Sequence, residues 1–210
     1  GKAGSPAVLL DTFERYFGPT GPAWPFERQA LVKLRPIAGD PLLGQHVIAL
    51  RDQMIYASGE FDIPAMRAIR DKQIRQLVAP GTFNAKLSPG GLVDIEYLIQ
   101  GLQLRNGHRY AEVRDPNTRD AMKALEQCGV LSASQRLGLR DAYRFLRRLI
   151  DAMRMVRGDA SDLTVPPRDS DEFRFLERRM RLFKDSADLS ADLESYSTLV
   201  REVASELLAL

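Results

Sequence analysis

Lys86-Leu-Ser-Pro-Gly-Gly-Leu-Val-Asp-Ile-Glu-Tyr-Leu-Ile-Gln-Gly-Leu-Gln-Leu104 is the stretch on which the fold turns. Ser88-Pro89-Gly90-Gly91 punctuates the chain, and the spacing predicts a helix from about Gly91 to Leu104. Leu92, Val93, Ile95, Tyr97, Leu98, Ile99, Leu102 and Leu104 cover it on nearly every side. A helix apolar all round is expected at the centre of a bundle, touched from several directions.

Outward from this helix the period stays helical. Upstream, Ser5-Pro6 opens a helix carrying Val8, Leu9, Phe13, Tyr16 and Phe17, and Gly18-Pro19 stops it. A second runs from about Ala23 to Arg35, and Pro36 disturbs its end. Gly39-Asp40-Pro41 starts a third, with Leu42, Leu43, Val47, Leu50 and Met54, and Ser58-Gly59 ends it. Asp62 and Pro64 open a fourth that buries Met66, Ile69, Ile74 and Leu77. Residues 79–89 are the least helical. Downstream, Asp115-Pro116 opens the helix of Met122, Leu125 and Cys128, closed by Gly129.

Ser132 and Gln135 form a capping box for a long helix ending near Arg157. Its apolar face is Leu139, Ala142, Phe145, Leu146, Leu149, Ile150, Met153 and Val156. Beyond Pro166-Pro167, one helix is marked by Phe173, Leu176, Met180 and Phe183. The last carries Leu189, Leu193, Tyr196, Val200, Val203 and Leu207. The expected fold is all-α, a bundle of about nine helices with no substantial sheet. It divides near Ser58-Gly59 into 1–58 and 59–210.

Composition narrows the function. Thirty basic and 28 acidic residues among 210 leave a net charge of +2, which argues against bulk nucleic acid or an anionic membrane as the main partner. One cysteine, Cys128, excludes an intrachain disulfide and fits a reducing cytoplasm. Two distant histidines, His46 and His108, leave no Cys/His zinc set. No apolar run approaches the ~20 residues of a membrane-spanning helix. The opening Gly1-Lys2-Ala3-Gly4-Ser5 is neither signal peptide nor methionine start, so the chain reads as cut from something longer.

Three segments could carry chemistry. In the first, Lys86 precedes a double glycine that opens a helix with Asp94 and Glu96 in its first turns. Free N–H groups there favour a phosphate, and Lys86 adds to that; equally, the carboxylates simply complement the helix dipole. Residues two apart on a helix point about 200° apart, so Asp94 and Glu96 do not chelate one metal. Glu96, Gln100 and Gln103 share one polar seam, whereas Asp94 shares its side with Tyr97 and Gly101. Asp94 needs a partner, and Arg28, Arg35 and Lys86 are the candidates.

The second segment, Trp24 to Asp40, carries Arg28, Lys33 and Arg35. They stand either near a nucleotide or the acidic site of a neighbouring domain, or on the solvated side of an amphipathic helix. The third is the stripe Arg140, Arg144, Arg147 and Arg148, with Arg154 and Arg157 beyond. Asp141 and Asp151 interrupt it, and it reads as a solvated face rather than an RNA surface.

Together the segments resemble the glutamine synthetase adenylyltransferases. Trp24…Glu27-Arg28-Gln29-Ala30-Leu31-Val32-Lys33…Ala38-Gly39-Asp40 resembles the helix after that family's catalytic sheet. Lys86…Gly90-Gly91-Leu92-Val93-Asp94-Ile95-Glu96-Tyr97-Leu98-Ile99-Gln100 resembles its "K…GG-x-x-(D/E)-I-E-(F/Y)-x-x-Q" signature. Tyr143 to Leu149 is similar to its "Y-x-F-L-R-R-L" helix, and Pro166 to Met180 to the end of a repeat unit.

The resemblance implies a two-headed parent that moves AMP from ATP to a tyrosine of glutamine synthetase and removes it by phosphorolysis. PII signalling proteins and glutamine set the balance. It also implies ATP and Mg²⁺ in the parent, and a helical domain shared with PII uridylyltransferases, preceded by a nucleotidyltransferase domain. The family's metal-binding carboxylates, in a Gly-Ser…Asp-x-Asp motif and an Asp before an Arg-Leu-Arg-Pro run, are not in this sequence. This chain alone is therefore expected to be inactive and to hold neither ATP nor Mg²⁺. By the same resemblance Lys86, Gly90, Gly91, Asp94 and Glu96 sit at the cleft between the two domains, with Lys86 and Arg35 on phosphate or on the missing carboxylates. Pro25-Phe26 and Arg181-Leu182 depart from the pattern. A non-enzymatic module binding PII or glutamine synthetase, and a uridylyltransferase-type relative, are the alternatives.

Overall fold

The computed structural model describes residues 7–58, 62–158, 161–182 and 188–208. Ser5-Pro6, Gly59 and Phe183, read above as helix signals, lie outside the described residues, as does the opening Gly1 to Ser5. The described residues form nine α-helices: α1 (Leu10–Phe17), α2 (Pro25–Ala30), α3 (Pro41–Tyr56), α4 (Ile63–Leu77), α5 (Leu92–Asn106), α6 (Thr118–Gln127), α7 (Ala133–Arg157), α8 (Asp171–Leu182) and α9 (Leu189–Leu208). Single 3-10 turns stand at Leu31–Lys33 and Ala111–Arg114. Among these residues there is no strand, and one antiparallel bridge joins Asn84 to Thr164. No helix among them is long and apolar enough to cross a membrane.

The all-helical expectation holds, with α5 at the centre. Its Ile95, Leu98 and Ile99 are fully buried, and α3, α6, α7 and α9 all pack against it. Burial of each such side chain is worth about 1.5–3 kcal/mol. The larger apolar cluster runs from Met66 of α4 to Leu208 of α9. A smaller one joins Leu31, Val32, Ile55 and Tyr56 to Leu104, so α5 serves both.

Polar caps set the helix starts. Asp40 accepts from Leu43 N at 2.9 Å and Asp62 from Ala65 N at 2.8 Å, each followed by proline in the first turn. The Ser132/Gln135 box is present, at 3.2 and 2.9 Å. Gly158 closes α7 in the left-handed conformation.

Several expectations are corrected. The second helix stops at Ala30 and tightens into one 3-10 turn; Leu34 is already extended, and Pro36 disfavours any return to helical backbone at Arg35. The helix expected at Asp115-Pro116 begins two residues later, capped by Asn117, whose side chain accepts from Arg119 N. Asp115 instead accepts from Asn117 N. In α4, Leu77 is exposed and Arg70 is buried beside Met66. Leu42 and Leu43 of α3 are likewise exposed, and Ile55 and Tyr56 are buried.

Candidate functional site

Six of the residues singled out above as possible carriers of chemistry, Lys33, Arg35, Glu96, Arg144, Arg147 and Arg148, meet at one cleft. Lys33 ends the first 3-10 turn and Arg35 follows it. Opposite stands Glu96 on the polar side of α5, and the cleft of about 690 Å³ is closed by residues 115–119 and by Tyr143, Arg144, Arg147 and Arg148 of α7. The Lys33 ammonium donates to Pro116 O at 3.0 Å and to Thr118 Oγ1 at 2.7 Å. Burial pushes its pKa down, while Glu96 and Asp115 pull it back up.

The seam read from α5 builds this cleft. Glu96 faces it. One turn on, Gln100 accepts from Gln29 Nε2 of α2 at 2.8 Å. Gln103, fully buried, donates to Val113 O at 2.6 Å and Asp115 O at 2.7 Å. One helix face thus ties the N-terminal segment and the 111–118 loop to the bundle.

The arginine stripe is the main signal that sequence reading undervalued. Arg144, Arg147 and Arg148 stand at i, i+3 and i+4 and share a helix side. They line the cleft with Arg119. Four arginines, Lys33 and Arg35 face two carboxylates, Glu96 and Asp115. Asp141 tempers the edge, bonding Arg140 at 2.9 Å and standing 3.8 Å from Arg144. Such a cleft attracts anions. It does not suit a divalent cation, which needs several oxygen ligands without competing positive charge. Among the described residues no group of three His, Cys, Asp or Glu could hold a metal ion.

The other sequence candidates lie elsewhere. Arg28 donates to Gly18 O at 2.7 Å, Gly21 O at 3.2 Å and Ala23 O at 3.3 Å, fastening the loop between α1 and α2. Lys86, Gly90, Gly91 and Asp94 gather at the start of α5, outside the cleft lining. The N–H groups expected to meet a phosphate there already have partners. Leu92 N donates to Ala85 O and Val93 N to Lys86 O, both at 3.0 Å, and Gly90 N donates to Asp94 at 2.6 Å.

Asp94 pairs with Arg70 of α4 at 2.5 Å, and not with Arg28, Arg35 or Lys86. Arg70 also donates to Leu87 O at 2.6 Å and Ser88 O at 3.1 Å, locking the 84–91 turn. The signal for Arg70 was its i+4 spacing from Met66. Gly90 has a φ of +79°, and a Cβ there would stand 2.3 Å from Ser197 O of α9. The double glycine is thus explained by packing.

With the geometry established, comparison with known proteins gives a consistent result. A family model described as GlnD PII-uridylyltransferase matches residues 65–208. The bifunctional glutamine synthetase adenylyltransferase/adenylyl-removing enzyme of Streptomyces avermitilis is 31% identical over 99% of this chain and 21% of its own length. The enzyme of the same name from Streptomyces coelicolor is 34% identical over 77% of this chain and 17% of its own. That of Xanthomonas campestris is 33% identical over 79% and 18%. The chain therefore spans about a fifth of the length of these relatives. Since the family model covers the bundle from α4 through α9, the chain belongs to the GlnD PII-uridylyltransferase family and matches a helical part of the glutamine synthetase adenylyltransferases.

Proposed function

We propose that this chain is the helical portion of a glutamine synthetase adenylyltransferase, a cytoplasmic regulator of nitrogen assimilation. Residues 1–58 would be the last helices of a nucleotidyltransferase domain and 59–210 the helical domain that follows. The parent transfers AMP from ATP to a glutamine synthetase tyrosine, or removes it by phosphorolysis, under the control of PII protein. The observation that supports this reading is the meeting of Lys33 and Arg35, from the N-terminal segment, with Glu96 of the signature helix in one basic cleft.

The cleft's donors fit phosphate oxygens, which guanidinium groups grip through paired N–H bonds. They do not fit Mg²⁺, which in this reading is held by carboxylates outside these residues. Bound there, the ion neutralises phosphate charge during transfer. Within this chain Pro116 O and Thr118 Oγ1 position the Lys33 ammonium, Glu96 favours its charged form against burial, and Arg35 approaches the phosphates or the metal-binding carboxylates.

A second reading, a uridylyltransferase-type relative acting on PII protein, is favoured by the description of the family model. Labelled ATP and UTP separate the two when the longer protein carrying this segment is incubated with glutamine synthetase and PII protein. Label from ATP on glutamine synthetase supports the first; label from UTP on PII protein replaces it with the second.

A further inference from the structure

We propose that the basic cleft binds a free oligophosphate directly on this chain, without a divalent ion. The inference rests on the reading of the cleft given above and adds to it a ligand that these residues hold unaided. Cations reach the cleft from three directions: Lys33 and Arg35 from the 3-10 turn and its exit, Arg119 from the start of α6, and Arg144 and Arg147 from α7. Glu96 and Asp115 are the carboxylates among its lining residues, and Asp141 reaches Arg144 at its edge. The excess positive charge calls for a ligand with several negative charges.

The shape selects among such ligands. At about 690 Å³ the cleft is large enough to admit a chain of phosphates between its walls. Arginines one helical turn apart offer planar forks to successive phosphate groups. Carboxylates on a flat acidic protein surface would reach only the rim, whereas the Lys33 ammonium, held by Pro116 O and Thr118 Oγ1, is half-buried in the cleft wall. A single phosphate would satisfy one wall only.

The test is titration calorimetry of the 210-residue chain with sodium triphosphate in the presence of a chelator. Inorganic monophosphate and an oligoglutamate peptide serve as parallel titrants. Triphosphate is expected to bind, more weakly as salt rises, and more tightly than either comparator. Arg144→Ala with Arg147→Ala removes two exposed side chains and should weaken it roughly tenfold for each guanidinium lost. Arg174→Ala with Arg181→Ala removes the same charge from α8 and should leave binding unchanged.

No triphosphate binding, or binding equal in the Arg144/Arg147 variant, overturns the proposal. Equal or tighter binding of oligoglutamate overturns it in favour of a docking surface for acidic protein. None of these results bears on nucleotide transfer by the longer protein, so failure here and failure of the adenylyltransferase reading remain distinguishable.

Discussion

Gly90→Ala tests whether the double glycine serves packing or a ligand. Two costs add. At a φ of +79° an L-residue pays about 1–2 kcal/mol for the left-handed conformation. The new Cβ would also stand 2.3 Å from Ser197 O and 2.7 Å from Ser197 Cα, both backbone atoms of α9. They cannot rotate away, so α9 must shift, and overpacking of this kind costs about 1–3 kcal/mol. The control lies nearby. Gly81 has a φ of +72°, but a Cβ there meets nothing within 4 Å. Gly81→Ala therefore carries the backbone cost alone. Urea unfolding followed by far-UV circular dichroism, with no ligand present, reads the difference. With m about 2 kcal/mol/M, the Gly90 variant should melt about 0.5–1.5 M below the Gly81 variant. Midpoints that agree would refute the packing argument and return the glycines to a ligand role.

Further outcomes follow from buried groups. The Tyr56 hydroxyl is buried with no hydrogen-bond partner among the described residues, and burial raises its pKa from 10.0 to about 12. The unfolded chain therefore loses that proton first, and stability should fall by about 2–3 kcal/mol between pH 10 and 12. Tyr56→Phe should be neutral or stabilising at pH 7 and flatten that fall in alkaline unfolding curves. Lys33 has the opposite sign. Its lowered pKa means the unfolded chain binds the extra proton in the window just below 10.5. Stability in a Tyr56→Phe background should rise with pH there, and Lys33→Met should abolish the rise. For the Arg70–Asp94 pair, Arg70→Met and Asp94→Asn should each cost about 3 kcal/mol. The double variant should cost clearly less than their sum in a thermodynamic cycle.

What the sequence disclosed was whatever one helix carries by itself. The period of α5 showed that Glu96, Gln100 and Gln103 share a side; Glu96 lines the cleft, Gln103 holds the backbone of Asp115 in its wall, and Gln100 ties down α2. The same reasoning separated Asp94 from Glu96, and the two do face different neighbours. The Asp94 partner was hidden because Arg70 lies 24 residues away on α4, and only the packing of α4 on the 84–91 turn brings them together. The α7 arginines were hidden for a related reason. An exposed stripe and a cleft wall have the same spacing, and the difference is made by residues 115–119, which lead into α6, and by the Lys33 turn. The later start of α6 was a backbone error with a local cause, since Asn117 caps that helix in place of Asp115.

The claim most in need of test is that Arg35 and Glu96 work at the transfer site of a longer adenylyltransferase. The direct measurement is the rate of AMP incorporation into glutamine synthetase by that protein, with Arg35→Ala and Glu96→Ala introduced together and unfolding midpoints matched to the parent. Incorporation should fall by about tenfold or more. An unchanged rate in a variant of unchanged stability would remove both residues from nucleotide transfer and leave the cleft without its assigned part.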